Sequence, residues 1–154
     1  MKHKVVKRIG WVNGQWGNIH ELSIPLQDRG LNHADGIFET ILIWEGKPQL
    51  LEAHIKRWEK GAALLGMAAP PQQQWIEQLI QEAVKRSYCN HKSEALRVNW
   101  SRGNEPNRGI DIIAEEPDPS THRFWLELSP ISPKFQAIST FISMKERRNA
   151  SSQL

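Results

Sequence analysis

Residues 37–66 read IFETILIWEGKPQLLEAHIKRWEKGAALLG, and the hydrophobic period changes inside this stretch. Ile37 to Trp44 is rich in β-branched and aromatic residues and reads as a long, mostly buried strand. Glu45-Gly46-Lys47-Pro48 turns the chain, and Gln49 to Leu51 is expected to return briefly antiparallel. From about Glu52 the period shifts. Leu51, Ile55, Trp58, Ala62 and Leu65 recur at intervals of three and four, which predicts a helix with an apolar inner face. Gly66 is placed to stop it. Pro70-Pro71 is expected to open a second helix, where missing N–H groups cost nothing, with a stripe of Ile76, Leu79, Ile80, Ala83 and Val84.

Outward from this unit, the chain reads as strands. Upstream, Asn13-Gly14 lies between Trp11-Val12 and Gln15-Trp16, the strongest short signal for a two-residue hairpin. A polar loop follows, running to about Ala34. Downstream, Ala95 to Trp100, Ile110 to Ala114, Phe124 to Leu128 and Ala137 to Met144 are expected strands. Pro117, Pro119, Pro130 and Pro133 punctuate the loops between them. Two adjacent helices embedded among antiparallel strands predict an α+β fold, the helices sharing one face of the sheet.

Composition narrows the function classes. A length of 154 residues suits one ordinary domain with a real core. Seven tryptophans point to a core and interface rich in aromatics. The net charge of +3 is carried largely by two short runs, Lys2-His3-Lys4 with Lys7-Arg8 and Lys145 to Arg148. Neither makes the continuous basic stripe that a nucleic-acid partner needs, so none is expected. Cys89 is the single cysteine, which leaves no disulfide framework and no cysteine metal cluster; no metal is expected. The basic start lacks a following apolar run, so no signal peptide is expected. No segment approaches the ~20 apolar residues of a membrane span, and a cytoplasmic chain without a membrane partner is expected.

The loop before the long strand is the most informative segment for chemistry. Asp28-Arg29-Gly30 and His33-Ala34-Asp35-Gly36-Ile37-Phe38-Glu39 crowd charge where a plain turn needs far less. Gly30 and Gly36 permit backbone conformations that other residues avoid. From the residues alone, this is either a capped structural loop, with Asp28 capping and Arg29 paired to a carboxylate, or part of a binding site.

The segment resembles the D-R-G-x-x-x-G-D-G-x-[FY]-E loop of the class IV aminotransferases and the aminodeoxychorismate lyases that share their fold. It departs only at Ala34, where the family usually has glycine. In the family this loop shapes one wall of the active site. A second match, Leu51-Glu52-Ala53-His54-Ile55-Lys56-Arg57-Trp58, is similar to the family's L-x-x-H-[IL]-x-R-[LF]. Its arginine holds the phosphate of pyridoxal 5'-phosphate, which makes Arg57 the expected cofactor contact. The spacing is physically sensible. Arg57 lies one turn from Ala53 and Gly61, whose small side chains leave room on that face, and a guanidinium fork suits phosphate oxygens. His54 is expected to pack under the loop through a hydrogen bond.

A third match, Ser101-Arg102-Gly103-Asn104-Glu105-Pro106-Asn107-Arg108-Gly109, resembles [ST]-R-G-x-x-x-R-G with one extra residue. It implies a cationic loop over a substrate carboxylate, with Arg102 and Arg108 as candidates; a solvated turn is the other reading. Phe38 is a further expected substrate contact. Tyrosine is frequent there among the aminotransferases and phenylalanine among the lyases, which leans toward the lyase side. Finally, Arg147-Arg148-Asn149 to Leu154 looks like the R-R-N-x-x-S-x-L segment that precedes the family's Schiff-base lysine. That lysine is then expected beyond Leu154; Lys145 is the rival within the chain.

The resemblance therefore implies the N-terminal part of a pyridoxal-phosphate enzyme, homodimeric in the family. Residues 1–130 form its α+β domain, and residues 131–154 a strand and linker toward a C-terminal domain outside the chain. The implied reaction is amino transfer between an amino acid and a 2-oxo acid, or pyruvate elimination from aminodeoxychorismate. The alternative is a non-catalytic fragment or binding domain that lacks the lysine.

Overall fold

The computed structural model describes residues 8–87, 92–104 and 117–134. The elements are β1 (Ile9–Val12), β2 (Gln15–Asn18), α1 (Arg29–His33), β3 (Gly36–Trp44), β4 (Lys47–Pro48), α2 (Leu51–Leu64), α3 (Gln73–Ser87), β5 (Ser93–Ser101) and β6 (Arg123–Pro130). The strands form one antiparallel sheet in the order β2-β1-β6-β5-β3-β4, and the fold is α+β.

The first hairpin closes through Asn13 (φ 49°) and Gly14 (φ 84°), the two positive dihedrals of a type I′ turn. Strand β5 lies inside the sheet, pairing with β3 from Ser93↔Trp44 to Ser101↔Gly36 and with β6 from Glu94↔Pro130 to Ser101↔Arg123. Alternation along these strands sends Ile37, Ile41, Leu96, Val98, Phe124 and Leu126 to one face. Ile55, Trp58 and Ala62 of α2 and Ile76, Ile80 and Ala83 of α3 join them in a single buried cluster. Both helices therefore cover the same face.

Helix α2 ends as its sequence suggested. Gly66 takes φ 59°, its N–H donates to the carbonyl of Ala63, and the Met67 N–H donates to that of Ala62. This is the pair of bonds of a Schellman stop.

Three expectations need correction. The returning strand is Lys47–Pro48 rather than Gln49 to Leu51, because Leu50 adopts a left-handed conformation (φ 53°) at the cap of α2. Helix α3 begins at Gln73, after Pro70-Pro71, with Gln72 supplying the first carbonyl to Trp75 and Ile76. A proline disfavours helical backbone in the residue before it, so Pro71 works against a helix that starts at Pro70. Ala68 is also held outside any helix, its carbonyl accepting from Trp100 Nε1 (3.0 Å) and its N–H donating to His122 Nε2 (3.3 Å). The polar loop before β3 contains the short helix α1, which hydrophobic period does not reveal because its Asp28 cap, not an apolar stripe, organises it. The strands expected at Ile110 to Ala114 and Ala137 to Met144 lie outside the described residues. Among the described residues, no helix is long and apolar enough to cross a membrane.

Candidate functional site

A buried carboxylate, Asp28, and a half-buried one, Asp35, fold the loop from Asp28 to Gly36 against β5. Asp28 is completely buried and accepts three hydrogen bonds, from the Gly30 N–H (2.9 Å), Ser101 Oγ (2.9 Å) and Arg123 Nη1 (2.7 Å). Asp35 accepts from Arg29 Nε (2.7 Å) and Arg102 Nε (2.9 Å) through the same oxygen, Oδ2. Burial pushes the Asp35 carboxyl up, but the two arginines outweigh it and hold it below its ordinary range. The Arg29 N–H donates to the Gly103 carbonyl at 2.8 Å, and Gly103 itself sits at φ 85°. A side chain at Gly103 would meet the Thr121 carbonyl oxygen at 1.7 Å, so this crossing requires glycine. Ala34 occupies the left-handed region (φ 53°), where the family's usual glycine carries no strain.

Strand β3 then delivers two neighbours to opposite faces. Glu39 points to the helix side and is buried, whereas Phe38 points to the open side and is 54% exposed. On the helix side, Arg57 of α2 grips Glu39 in a two-pronged pair, Nε to Oε1 and Nη2 to Oε2, each at 2.5 Å. His54, one turn earlier, meets Glu39 Oε2 at 2.7 Å through Nδ1. An ionised carboxylate only accepts, so Nδ1 carries the proton. Burial raises the Glu39 carboxyl, and the hydrogen bonds and charges of Arg57 and His54 more than offset this, leaving it lowered. The Glu39 side chain is 5% exposed while that of Arg57 is 66% exposed. The guanidinium is therefore anchored from below and open to a ligand from outside.

On the open side, Phe38, Arg97, Asn99 and Trp125 line a cavity of about 300 Å³ with Leu31 and Ala34 at its rim. The strand register explains the grouping: Phe38 pairs with Asn99, and Asn99 with Trp125. The Arg97 guanidinium carbon lies 3.6 Å from the centre of the Phe38 ring, and its Nε donates to Asn99 Oδ1 at 3.1 Å. Among the described residues, no carboxylate lies within ion-pair distance of Arg97. A half-buried cation on a cavity wall is suited to an incoming anion. The two sides are close in sequence and meet at β3, where β4 pairs only with Ile43 and Trp44.

The structure thus brings Arg57 and Phe38 to the two faces of one strand. His54 lies under Glu39, a hydrogen-bonded position of the kind expected for it. Arg102, a candidate for the substrate carboxylate, is bonded within the fold. Its side chain is 10% exposed, and besides Asp35 it donates to the carbonyls of Gly66 (3.0 Å) and Leu65 (2.8 Å) at the end of α2. Arg108 and Lys145 lie outside the described residues. Sequence reading missed Arg97 and Glu39. Arg97 gave no local signal beyond its place in an apolar strand, whereas Glu39, at a position alternating with Ile37 and Ile41, is a charge on the buried face and was detectable as such. No group of three His, Cys, Asp or Glu side chains able to hold a metal occurs among the described residues.

Comparison with known proteins adds the context. A family model for class IV amino-transferases matches residues 36–154. A bifunctional aminodeoxychorismate lyase/D-amino acid transaminase of Mycobacterium tuberculosis is 33% identical over 93 residues, 58% of this chain and 32% of its own length. The aminodeoxychorismate lyase of Bacillus subtilis is 27% identical over 93 residues, covering 60% and 32%. Among solved structures, 4-amino-4-deoxychorismate lyase from Pseudomonas aeruginosa superposes with a TM-score of 0.58 at 29% identity, covering 79% of this chain and 39% of its own. A hypothetical aminotransferase of Mycobacterium tuberculosis in its PLP-bound form gives a TM-score of 0.64 at 22% identity, covering 82% and 41%, a likeness of fold. The chain spans about a third of the length of these curated relatives.

Proposed function

The chain belongs to the class IV aminotransferase family, and from that premise we propose that it forms the phosphate- and carboxylate-gripping part of a pyridoxal-phosphate enzyme acting on amino acids or aminodeoxychorismate-like substrates. The observation that carries this reading is Arg57: an exposed guanidinium held by a buried carboxylate, with its Nη1 without a partner among the described residues. That arrangement fits a phosphate monoester, which wants planar, directed donors.

Each residue then has a physical task. Arg57 binds the cofactor phosphate. Arg97 binds the carboxylate of the substrate, its charge held in place by the Phe38 ring and Asn99. Phe38 supplies an apolar wall that keeps water from the reacting carbon. Arg102 clamps the Asp35 loop onto the end of α2, acting at a distance from the substrate. Arg108 is retained as a second carboxylate contact on the strength of its motif. Pyridoxal phosphate, when bound, supplies an electron sink for the pair left at the amino carbon. The motif at Arg147-Arg148-Asn149 supports a Schiff-base lysine beyond Leu154, with Lys145 as the rival, and the proposed hold of the described residues on the cofactor is through its phosphate.

Amino transfer and pyruvate elimination share these requirements. The named relatives include both activities, and Phe38 in place of tyrosine favours the lyase. A homodimer belongs to the same reading, supported by Leu26 and Leu31, exposed apolar side chains (83% and 56%) beside the loop.

An NMR titration of the ¹⁵N-labelled chain tests the proposal. Inorganic phosphate is expected to shift backbone signals around Arg57, and pyruvate those of Phe38, Arg97, Asn99 and Trp125. Phosphate shifts that persist unchanged in Arg57→Ala would overturn the assignment of the cofactor end.

A further inference from the structure

We infer that Glu39 is the positioning residue of the phosphate site, fixing which edge of the Arg57 guanidinium faces the ligand; the inference rests on the reading of Arg57 given above. The guanidinium carries five N–H groups in a planar fork. Glu39 engages the side edge, the Nε–H and one N–H of Nη2. The end edge is formed by Nη1, which has no partner among the described residues, and the remaining N–H of Nη2, beside which His54 Nδ1 lies at 3.5 Å; it belongs to a side chain that is 66% exposed. This edge presents two parallel donors, the geometry a phosphate accepts.

Glu39 stands at an inward position of β3 between Ile37 and Ile41, where an apolar residue packs without any desolvation cost. His54 Nδ1 meets the same Oε2 beside Arg57 Nη2, the two nitrogens 3.5 Å apart, so that oxygen is held by two donors. Ala53 and Gly61, one turn either side of Arg57 on α2, bring no long side chain against the guanidinium. An unanchored surface arginine samples many rotamers, and ordering it on binding weakens affinity. Glu39 settles that cost at folding, before any ligand arrives.

The sign of the Glu39→Gln effect separates positioning from simple electrostatics. Removing a carboxylate beside Arg57 makes the site more positive, and charge alone predicts tighter phosphate binding. Positioning predicts the reverse, because the glutamine amide turns a donor toward a donor and releases the guanidinium. With inorganic phosphate as the probe, followed by NMR on the chain, we expect Glu39→Gln to weaken binding about fivefold, and Arg57→Ala to weaken it at least as much. Glu39→Gln that binds as well as or better than wild type, with Arg57→Ala weakened, overturns the inference alone. An Arg57→Ala variant that keeps full affinity removes the phosphate reading itself.

A measurement on the unmodified chain guards against misfolding of the variant. The Arg57 Nε–H is expected to exchange slowly with solvent and to stay unshifted when inorganic phosphate is added, while the Nη signals move. Rapid Nε–H exchange, like that of an exposed arginine, or a phosphate-induced shift largest at Nε, refutes the anchoring.

Discussion

Asp28→Ala is the substitution whose cost follows most directly from the structure. The carboxylate is fully buried and satisfies one backbone N–H, one hydroxyl and one guanidinium, drawn from α1, β5 and β6. The two neutral donors are worth about 1 kcal/mol each and the charge-assisted bond about 2 kcal/mol. Removing the acceptor also takes the ion-pair partner from Arg123, whose side chain is 13% exposed, whose Nη1 keeps only Asn104 Oδ1 (3.0 Å), and whose Nε is without a partner among the described residues. Breaking a buried ion pair costs on the order of 3–5 kcal/mol, in agreement with the sum of about 4 kcal/mol. Asp28→Asn keeps the shape and one acceptor oxygen but faces an amide toward a donor; about 2 kcal/mol is expected. Urea unfolding followed by tryptophan fluorescence reads both values, with the slope against urea unchanged. If Asp28→Ala unfolds within about 1 kcal/mol of wild type, the three bonds do not hold the loop and the reasoning fails.

Further predictions concern the same loop and its neighbours. Gly103→Ala is expected to destabilise the chain more than any other single methyl addition, because its Cβ lands 1.7 Å from the Thr121 carbonyl oxygen at a backbone φ of 85°; thermal unfolding checks this. Ala34→Gly is expected to stabilise the chain by roughly 0.5 kcal/mol, the relief of left-handed alanine exceeding the added freedom of the unfolded chain; denaturant midpoints read the sign. Glu39 and Asp35 both have carboxyls lowered from 4.5 and 3.8, so each stabilises the fold above those values and loses that contribution as pH falls through its folded value. Stability measured across acid pH is expected to fall less steeply in Asp35→Asn than in wild type. His122, pushed down from 6.5 chiefly by burial, stabilises the fold while neutral; His122→Gln is expected to blunt the loss of stability as pH drops below 6.5.

Much of this architecture was legible because local chemistry and global packing agree. Asn13-Gly14 is read correctly as a turn because both residues tolerate the positive dihedrals that the strand twist demands. Helix α2 is legible from its stripe, since Ile55, Trp58 and Ala62 are the very residues that reach the core. Helix α1 was legible only in part: its Asp28 cap and the Arg29–carboxylate pair were among the readings of the loop, whereas the bonds of Asp28 to Ser101 and Arg123 are distant in sequence. The position of Arg102 was hidden for a similar reason: its partners are main-chain carbonyls at the end of α2, which carry no side-chain signal. Arg97 becomes a candidate only through register, once β3 sets Phe38 beside it. Arg57 was a candidate through its motif, and the structure adds the carboxylate beneath it, on which the proposal of a phosphate contact rests.

The central claim is that Arg57 is the phosphate anchor of a pyridoxal-phosphate site. It is tested most directly by comparing the affinities of the chain for pyridoxal phosphate and for pyridoxal, which differ only in the phosphate. Wild type is expected to prefer the phosphate ester by about tenfold, the size of one charge-assisted pair at an exposed site, and Arg57→Ala to lose that preference while binding pyridoxal unchanged. Equal affinities in wild type, or an undiminished preference in Arg57→Ala, would contradict the account.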